Sequence, residues 1–122
     1  MPHIVIVEDE ADVREFLYRA FHRHAPNSEI SVASDGVAAL DLINQSGCDL
    51  LISDQRMPLM TGIELLQAIR ANGATFPAII ISADMTAELA AIEAGANAFF
   101  YKPLSMSQIR DIIQTWLKPN GA

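Results

Sequence analysis

Five short apolar runs recur along this chain, each followed by a segment with helical spacing, and that alternation restricts the fold more than any other feature. The runs are Ile4-Val5-Ile6-Val7, Ile30-Ser31-Val32-Ala33, Leu50-Leu51-Ile52, Ala78-Ile79-Ile80-Ile81 and Ala98-Phe99-Phe100-Tyr101. A strand with one wet face alternates apolar and polar residues. Runs that are mostly apolar predict strands buried on both faces, as in a parallel sheet covered by helices. The segments between them supply the helices. Val13, Phe16, Leu17, Ala20 and Phe21 lie on one helical stripe, as do Ile109, Ile112, Ile113, Trp116 and Leu117. Thr61 with Glu64, and Ser105 with Gln108, have the spacing of capping boxes that open a helix. Gly47, Gly73 and Gly95 stand just past helical stretches, where a left-handed residue ends the helix.

Strict βα alternation with right-handed crossovers predicts an α/β fold, a (βα)5 three-layer sandwich whose parallel five-stranded sheet has the flavodoxin-like order 2-1-3-4-5. With 122 residues, 51% of them hydrophobic, one core and one domain over 1–122 are expected, with no output domain following the fifth helix. Eight basic against fifteen acidic side chains, a net charge of -7, argue against direct binding of nucleic acid by this domain. No apolar run approaches a membrane span, and the N-terminus lacks the pattern of a secretory leader. The single Cys48 excludes an intrachain disulfide and suits a reducing compartment, so a cytoplasmic location is expected.

Ligands of such sheets bind at the carboxyl ends of the strands. There the sequence turns polar: Glu8-Asp9 after the first run, Asp54 after the third, Ser82 after the fourth, Lys102-Pro103 after the fifth. Singly, these read as a helix cap, a turn former and a surface charge. Together they bring three carboxylates, a hydroxyl and an ammonium to one crevice. Crowded carboxylates destabilise one another, and a hard divalent cation such as Mg²⁺ removes the conflict. A carboxylate beside Mg²⁺ can attack phosphorus, with Lys102 and Ser82 placed to neutralise the transferring group.

With these residues in view the chain resembles the response-regulator receiver family over essentially its whole length. The matching elements are Val7-Glu8-Asp9-Glu10, Ile52-Ser53-Asp54-Gln55-Arg56-Met57-Pro58, Thr61-Gly62, Ile81-Ser82-Ala83 and Tyr101-Lys102-Pro103. The resemblance implies a phosphoprotein of a two-component system or phosphorelay. Its phosphoacceptor would be Asp54, with Mg²⁺ held by Asp9, Asp54 and the backbone carbonyl of Arg56, and by Glu8 through water. Ser82 and Lys102 would act on the phosphoryl group, and the Lys102–Pro103 peptide would be cis. It implies a switch rather than an enzyme, with no turnover of an external substrate. The phosphoryl donor would be a histidine kinase or a histidine phosphotransfer protein docking on the first helix, with Ala11 and Arg14 as contacts. Output would be read by a partner or output domain from the face of the fourth helix, fifth strand and fifth helix, where a homodimer is also open.

The family's switch pairs Ser82 with an aromatic residue three before the lysine. Here that residue is Phe99, which has no phenolic hydroxyl, so coupling would rest on packing. Arg56 and Asp84, which flank the phosphoryl position in the family, are expected to form an ion pair that lengthens its lifetime. Two other functions use similar residues. A phosphatase of the haloacid dehalogenase type would carry a second Asp two residues past its nucleophile, where this chain has Arg56. A phosphorylation-free scaffold would lack one of the site residues. Cys48 and Trp116 are expected to pack in the core, Met57 and Met60 around the loop after Asp54, and His22 and His24 in solvent. The fourth helix, from about Met85 to Ala94, is expected to be anchored by Leu89 and Ile92.

Overall fold

The computed structural model describes residues 1–117; the tail expected directly after the fifth helix, 118–122, lies outside them. The elements are β1 (His3–Val7), α1 (Ala11–His24), β2 (Glu29–Ala33), α2 (Gly36–Ser46), β3 (Leu50–Asp54), α3 (Gly62–Ala71), β4 (Ala78–Ser82), α4 (Glu88–Glu93), β5 (Ala98–Tyr101) and α5 (Met106–Trp116). A 3₁₀ turn, Met85–Ala87, leads into α4. All strands are parallel, in the order β2-β1-β3-β4-β5, the expected flavodoxin-like order.

Alternate side chains of the central strands point to opposite faces and build two cores. Ile4, Ile6, Leu50, Ile52, Ile79 and Ile81 meet α1 and α5 through Leu17, Phe21, Ile109 and Ile112. Val5, Val7, Leu51 and Ile80 meet α2, α3 and α4 through Ala39, Ile43, Leu65, Leu66, Ile69 and Ala91. At about 25 cal/mol per Å² of apolar surface, each buried Leu or Ile contributes roughly 1.5–3 kcal/mol.

Both capping boxes are formed: the Thr61 and Ser105 hydroxyls accept from the amides of Glu64 and Gln108, whose side chains accept from the cap amides in return. Gly47, Gly73 and Gly95 have φ of 74°, 89° and 107°, in the left-handed region that a side chain would strain. The Lys102–Pro103 peptide is cis.

Four sequence expectations need correction. Burial on both faces holds for β1, β3 and β4, whereas β2 and β5 are edge strands with exposed positions, because sheet order and not run composition decides the edge. In α1, Leu17, Ala20 and Phe21 are buried, but Phe16 stays 44% exposed, since the stripe is wider than the contact with the sheet. In the fourth helix Leu89 and Ile92 are 69% and 45% exposed, and the buried residues are Ala91 and, in the 3₁₀ turn before it, Ala87. Small side chains let this helix lie close to the sheet, which turns the larger residues outward. The remaining packing expectations hold: Met57 is buried, and Met60, Cys48 and Trp116 are half-buried against the cores. His22 is exposed as expected, but His24 is half-buried.

Candidate functional site

The carboxyl ends of β1, β3, β4 and β5 converge. Strand pairing runs one residue past the elements on two sides: the amide of Glu8 donates to the Ala33 carbonyl at 3.0 Å, and that of Lys102 to the Ser82 carbonyl at 3.1 Å. Glu8, Asp54 and Ser82 are therefore carried on fixed backbone and are 0%, 3% and 1% exposed. Asp9, at the start of the β1–α1 loop, is exposed.

Lys102 Nζ lies 2.8 Å from Glu8 Oε1 and 3.0 Å from Asp54 Oδ2, and so bridges the two buried carboxylates. The other Asp54 oxygen, Oδ1, accepts from the Gln55 amide at 2.8 Å; Glu8 Oε2 accepts from the Glu10 amide at 3.0 Å. Burial, first of all, pushes the Glu8 carboxyl above its ordinary 4.5; Lys102 and the Glu10 amide pull it back, and the Asp54 charge pushes it further up. Burial by itself would lower Lys102, but its bonds to Glu8 and Asp54 outweigh that and hold its pKa above 10.5.

Carboxylate oxygens of Glu8, Asp9 and Asp54 all lie within 4.8 Å of one another. One ammonium for three carboxylates, two of them buried, leaves excess negative charge at the strand ends. Glu8 Oε1, moreover, is buried without a well-directed hydrogen bond, its contact with Nζ being one of charge. A hard divalent cation with oxygen ligands fits this donor set.

Arg56 Nη2 and Asp84 Oδ2 form the expected ion pair at 3.2 Å. The Ser82 hydroxyl accepts from the Asp84 amide at 3.0 Å, so Ser82 and Asp84 share one turn. The side chain of Asp84 also accepts from the amide and hydroxyl of Thr86, and these bonds, with Arg56, hold its carboxyl below the usual range. Phe99 is half-buried and meets Tyr101 edge-on, ring centres 5.3 Å apart; the Tyr101 hydroxyl donates to Glu88 Oε1 at 2.9 Å.

Sequence reasoning left Gln55 and Gly62 without a role and read Arg14 only as a contact for the docking partner. Gln55 clamps the loop after β3: its side-chain oxygen accepts from the Ile63 amide at 2.8 Å, and its carbonyl from the Gly62 amide at 3.0 Å. Gly62 is required there, since a Cβ would stand 2.4 Å from the Asp54 carbonyl oxygen. Arg14 reaches back from the first turn of α1 to the β1–α1 loop. Only the Gly, next to the Thr61 cap, had a signal in the sequence; the others depend on distances across loops.

The model of the response regulator receiver domain matches residues 4–114, and the chain belongs to that family, the receiver domains of two-component response regulators. Its relatives include the response regulator MprA of Mycobacterium tuberculosis, 32% identical over 108 residues, which are 87% of this chain and 46% of that protein. The chain thus spans about half the length of the curated relatives it matches. Among solved structures, the N-terminal domain of an uncharacterized Wolinella succinogenes protein superposes with a TM-score of 0.87 at 35% identity, covering 95% of this chain and 94% of that one. The receiver domain of the response regulator NarL from M. tuberculosis gives 0.84 at 28% identity, with 93% of each chain covered. The chemotaxis protein CheY4 of Vibrio cholerae, 24% identical, shares the fold, with a TM-score of 0.87 over 96% of this chain and 99% of that one. No helix among the described residues is long and apolar enough to cross a membrane.

Proposed function

We propose that this receiver accepts a phosphoryl group on Asp54 from the phosphohistidine of a histidine kinase or histidine phosphotransfer protein, in a Mg²⁺-dependent reaction, and signals by a change of conformation. The observation that carries the reading is the Asp54 carboxylate, 3% exposed at the end of the central strand, with an ammonium 3.0 Å away and two more carboxylates within 4.8 Å. Asp9, Asp54 and the Arg56 carbonyl would hold Mg²⁺, with Glu8 acting through water. Bound there, the ion offsets charge on the carboxylates and on the phosphoryl oxygens.

The protein's own groups account for the rest. The Gln55 amide fixes one Asp54 oxygen, which aims the carboxylate. Lys102 stands beside the acceptor and can follow the charge from carboxylate to phosphoryl oxygen. Ser82, on the next strand, offers a hydroxyl to the same group, and its turn carries Asp84. The Arg56–Asp84 pair over the site restricts water and lengthens the life of the acyl phosphate. Readout runs from Ser82 to Phe99 and the face of α4, β5 and α5, where an output domain or downstream protein would bind. The reaction is confined to the chain's own Asp54, with no external substrate turned over, and the setting is cytoplasmic.

The test is intact mass after incubation with Mg²⁺ and a small acyl phosphate, native against Asp54→Asn. A single phosphoryl adduct, lost in the variant and on chelation, is expected. A native chain that binds Mg²⁺ yet forms no adduct would favour a phosphorylation-free scaffold.

A further inference from the structure

In the β1–α1 loop the Glu8 amide is paired with β2 and the Glu10 amide donates to Glu8 Oε2, but between them Asp9 has few ties of its own. Glu10, the residue that caps α1, makes no side-chain capping bond. Asp9 itself is exposed, without the packing that fixes Glu8. What gathers the loop is Arg14, whose Nη1 donates to the Glu8 carbonyl at 2.9 Å and lies 3.4 Å from the Asp9 carbonyl. Those carbonyls belong to the peptide planes on either side of the Asp9 Cα. Holding both planes restrains φ and ψ of Asp9, so one guanidinium nitrogen fixes the backbone that sets the direction of the Cα–Cβ bond from which this exposed carboxylate extends. Arg14 is half-buried and forms no ion pair among the described residues; its charge is spent on backbone oxygen.

Resting on the Mg²⁺-dependent reading above, we infer that Arg14 is a positioning residue for cation binding, which sets the Asp9 carboxylate toward Glu8 and Asp54 before any ion arrives. An exposed carboxylate without this brace would have to be ordered by the ion itself, at a cost in affinity. The sign separates this role from plain electrostatics. A positive charge near the cluster opposes a cation, so if Arg14 acted through charge alone, its removal would tighten Mg²⁺ and exchange for Lys would change nothing. A positioning role predicts weaker binding in both cases, because the Lys ammonium ends one bond short of the position of Nη1 and is a strongly hydrated point charge on a flexible stem, poorly suited to hold both carbonyls.

The experiment is Mg²⁺ titration of the native chain, Arg14→Lys and Arg14→Gln, by calorimetry and by the amide shifts of Glu10 and Gln55, with thermal unfolding as a check that each variant is folded. Roughly tenfold weaker Mg²⁺ in both variants is expected, the low end for residues that orient metal ligands. With acyl phosphate, the Mg²⁺ concentration for half-maximal rate should rise while the rate at saturating Mg²⁺ stays near native. A native affinity in Arg14→Lys, or tighter binding in Arg14→Gln, would overturn the positioning role alone. A native chain that binds no Mg²⁺ would overturn the functional reading and this inference with it.

Discussion

Replacing Lys102 with Met removes the only ammonium near the acidic cluster among the described residues, while leaving a stem of similar volume. Lys102 lines one cleft with Val13, Phe16 and Leu104, a setting that accepts an unbranched apolar chain, so the change isolates charge. At an effective dielectric of about 20, contacts of 2.8 and 3.0 Å are each worth roughly 5–6 kcal/mol of Coulomb energy. That full loss is not expected, because Glu8 has a cheaper way out, which is to take up a proton. Protonating a carboxyl of ordinary value 4.5 at pH 7 costs about 1.4 kcal/mol per pH unit above that value, or about 3.4 kcal/mol. Since the native Glu8 is already raised, part of this is present before mutation, and a loss of about 2–3 kcal/mol at pH 7 without metal is expected. The sign follows from linkage. A carboxyl whose folded pKa is raised takes stability away as pH climbs from its unfolded value towards its folded one; removing Lys102 raises Glu8 further and extends that window upward. Urea unfolding followed by far-ultraviolet circular dichroism in chelator should therefore show a deficit that is large at pH 7 and small near pH 4.5. Excess Mg²⁺ should restore more stability to the variant than to the native protein. A deficit that is absent at pH 7, or constant from pH 4.5 to 7, would refute the charge argument.

Gly62→Ala places a Cβ 2.4 Å from the Asp54 carbonyl oxygen, so a loss of about 2–3 kcal/mol is expected, with amide shifts in Gln55 larger than in α5, read by denaturation and nuclear magnetic resonance. Cys48 is half-buried and its thiol is pushed up to about 12, chiefly by burial, so it should resist a thiol reagent at pH 8 in the folded chain and react fully in urea; fast labelling of native protein would contradict that placement. Tyr101→Phe removes the hydroxyl that ties β5 to the first residue of α4, and faster amide exchange confined to α4 is expected, with α3 unchanged. Equal exchange in both proteins would show that the bond does not hold the helix.

The strand runs, the capping boxes and the helix-ending glycines were legible because each depends on residues close together in sequence. Sheet order was legible only through the rule that links βα alternation to topology, and with it came the meeting of Glu8, Asp54 and Lys102, with Ser82 at the end of the strand beside Asp54. What escaped were features decided across space. Leu89 and Ile92 looked like anchors because hydrophobicity was weighed without distance; the helix and the turn before it approach through Ala91 and Ala87 instead. Arg14 looked like a surface contact for a partner because nothing in a linear reading turns a side chain back towards the preceding loop.

The parity of the strands explains why the site divides as it does. Two residues beyond Ile6, Ile52 and Phe100, all on the side of α1 and α5, stand Glu8, Asp54 and Lys102. Because side chains alternate with period two and the ladder continues through the Glu8 and Lys102 amides, those three arrive on one face and meet. Ser82 has the other parity, shared with Ile80, and its register partner is Tyr101. Phe99, two before Tyr101, packs on that same side, and the Tyr101 hydroxyl reaches Glu88 of α4. Charge is therefore gathered on one face while the contacts to α4 lie on the other, and Ser82 is the site residue whose parity belongs to the second group. On the proposed function, a change of charge at Asp54 would reach α4 through that hydroxyl and the paired backbone of β4 and β5. A one-residue slip of β4 would send Ser82 to the charged face, so the buried register that secures the core also fixes the side of the sheet on which its hydroxyl stands.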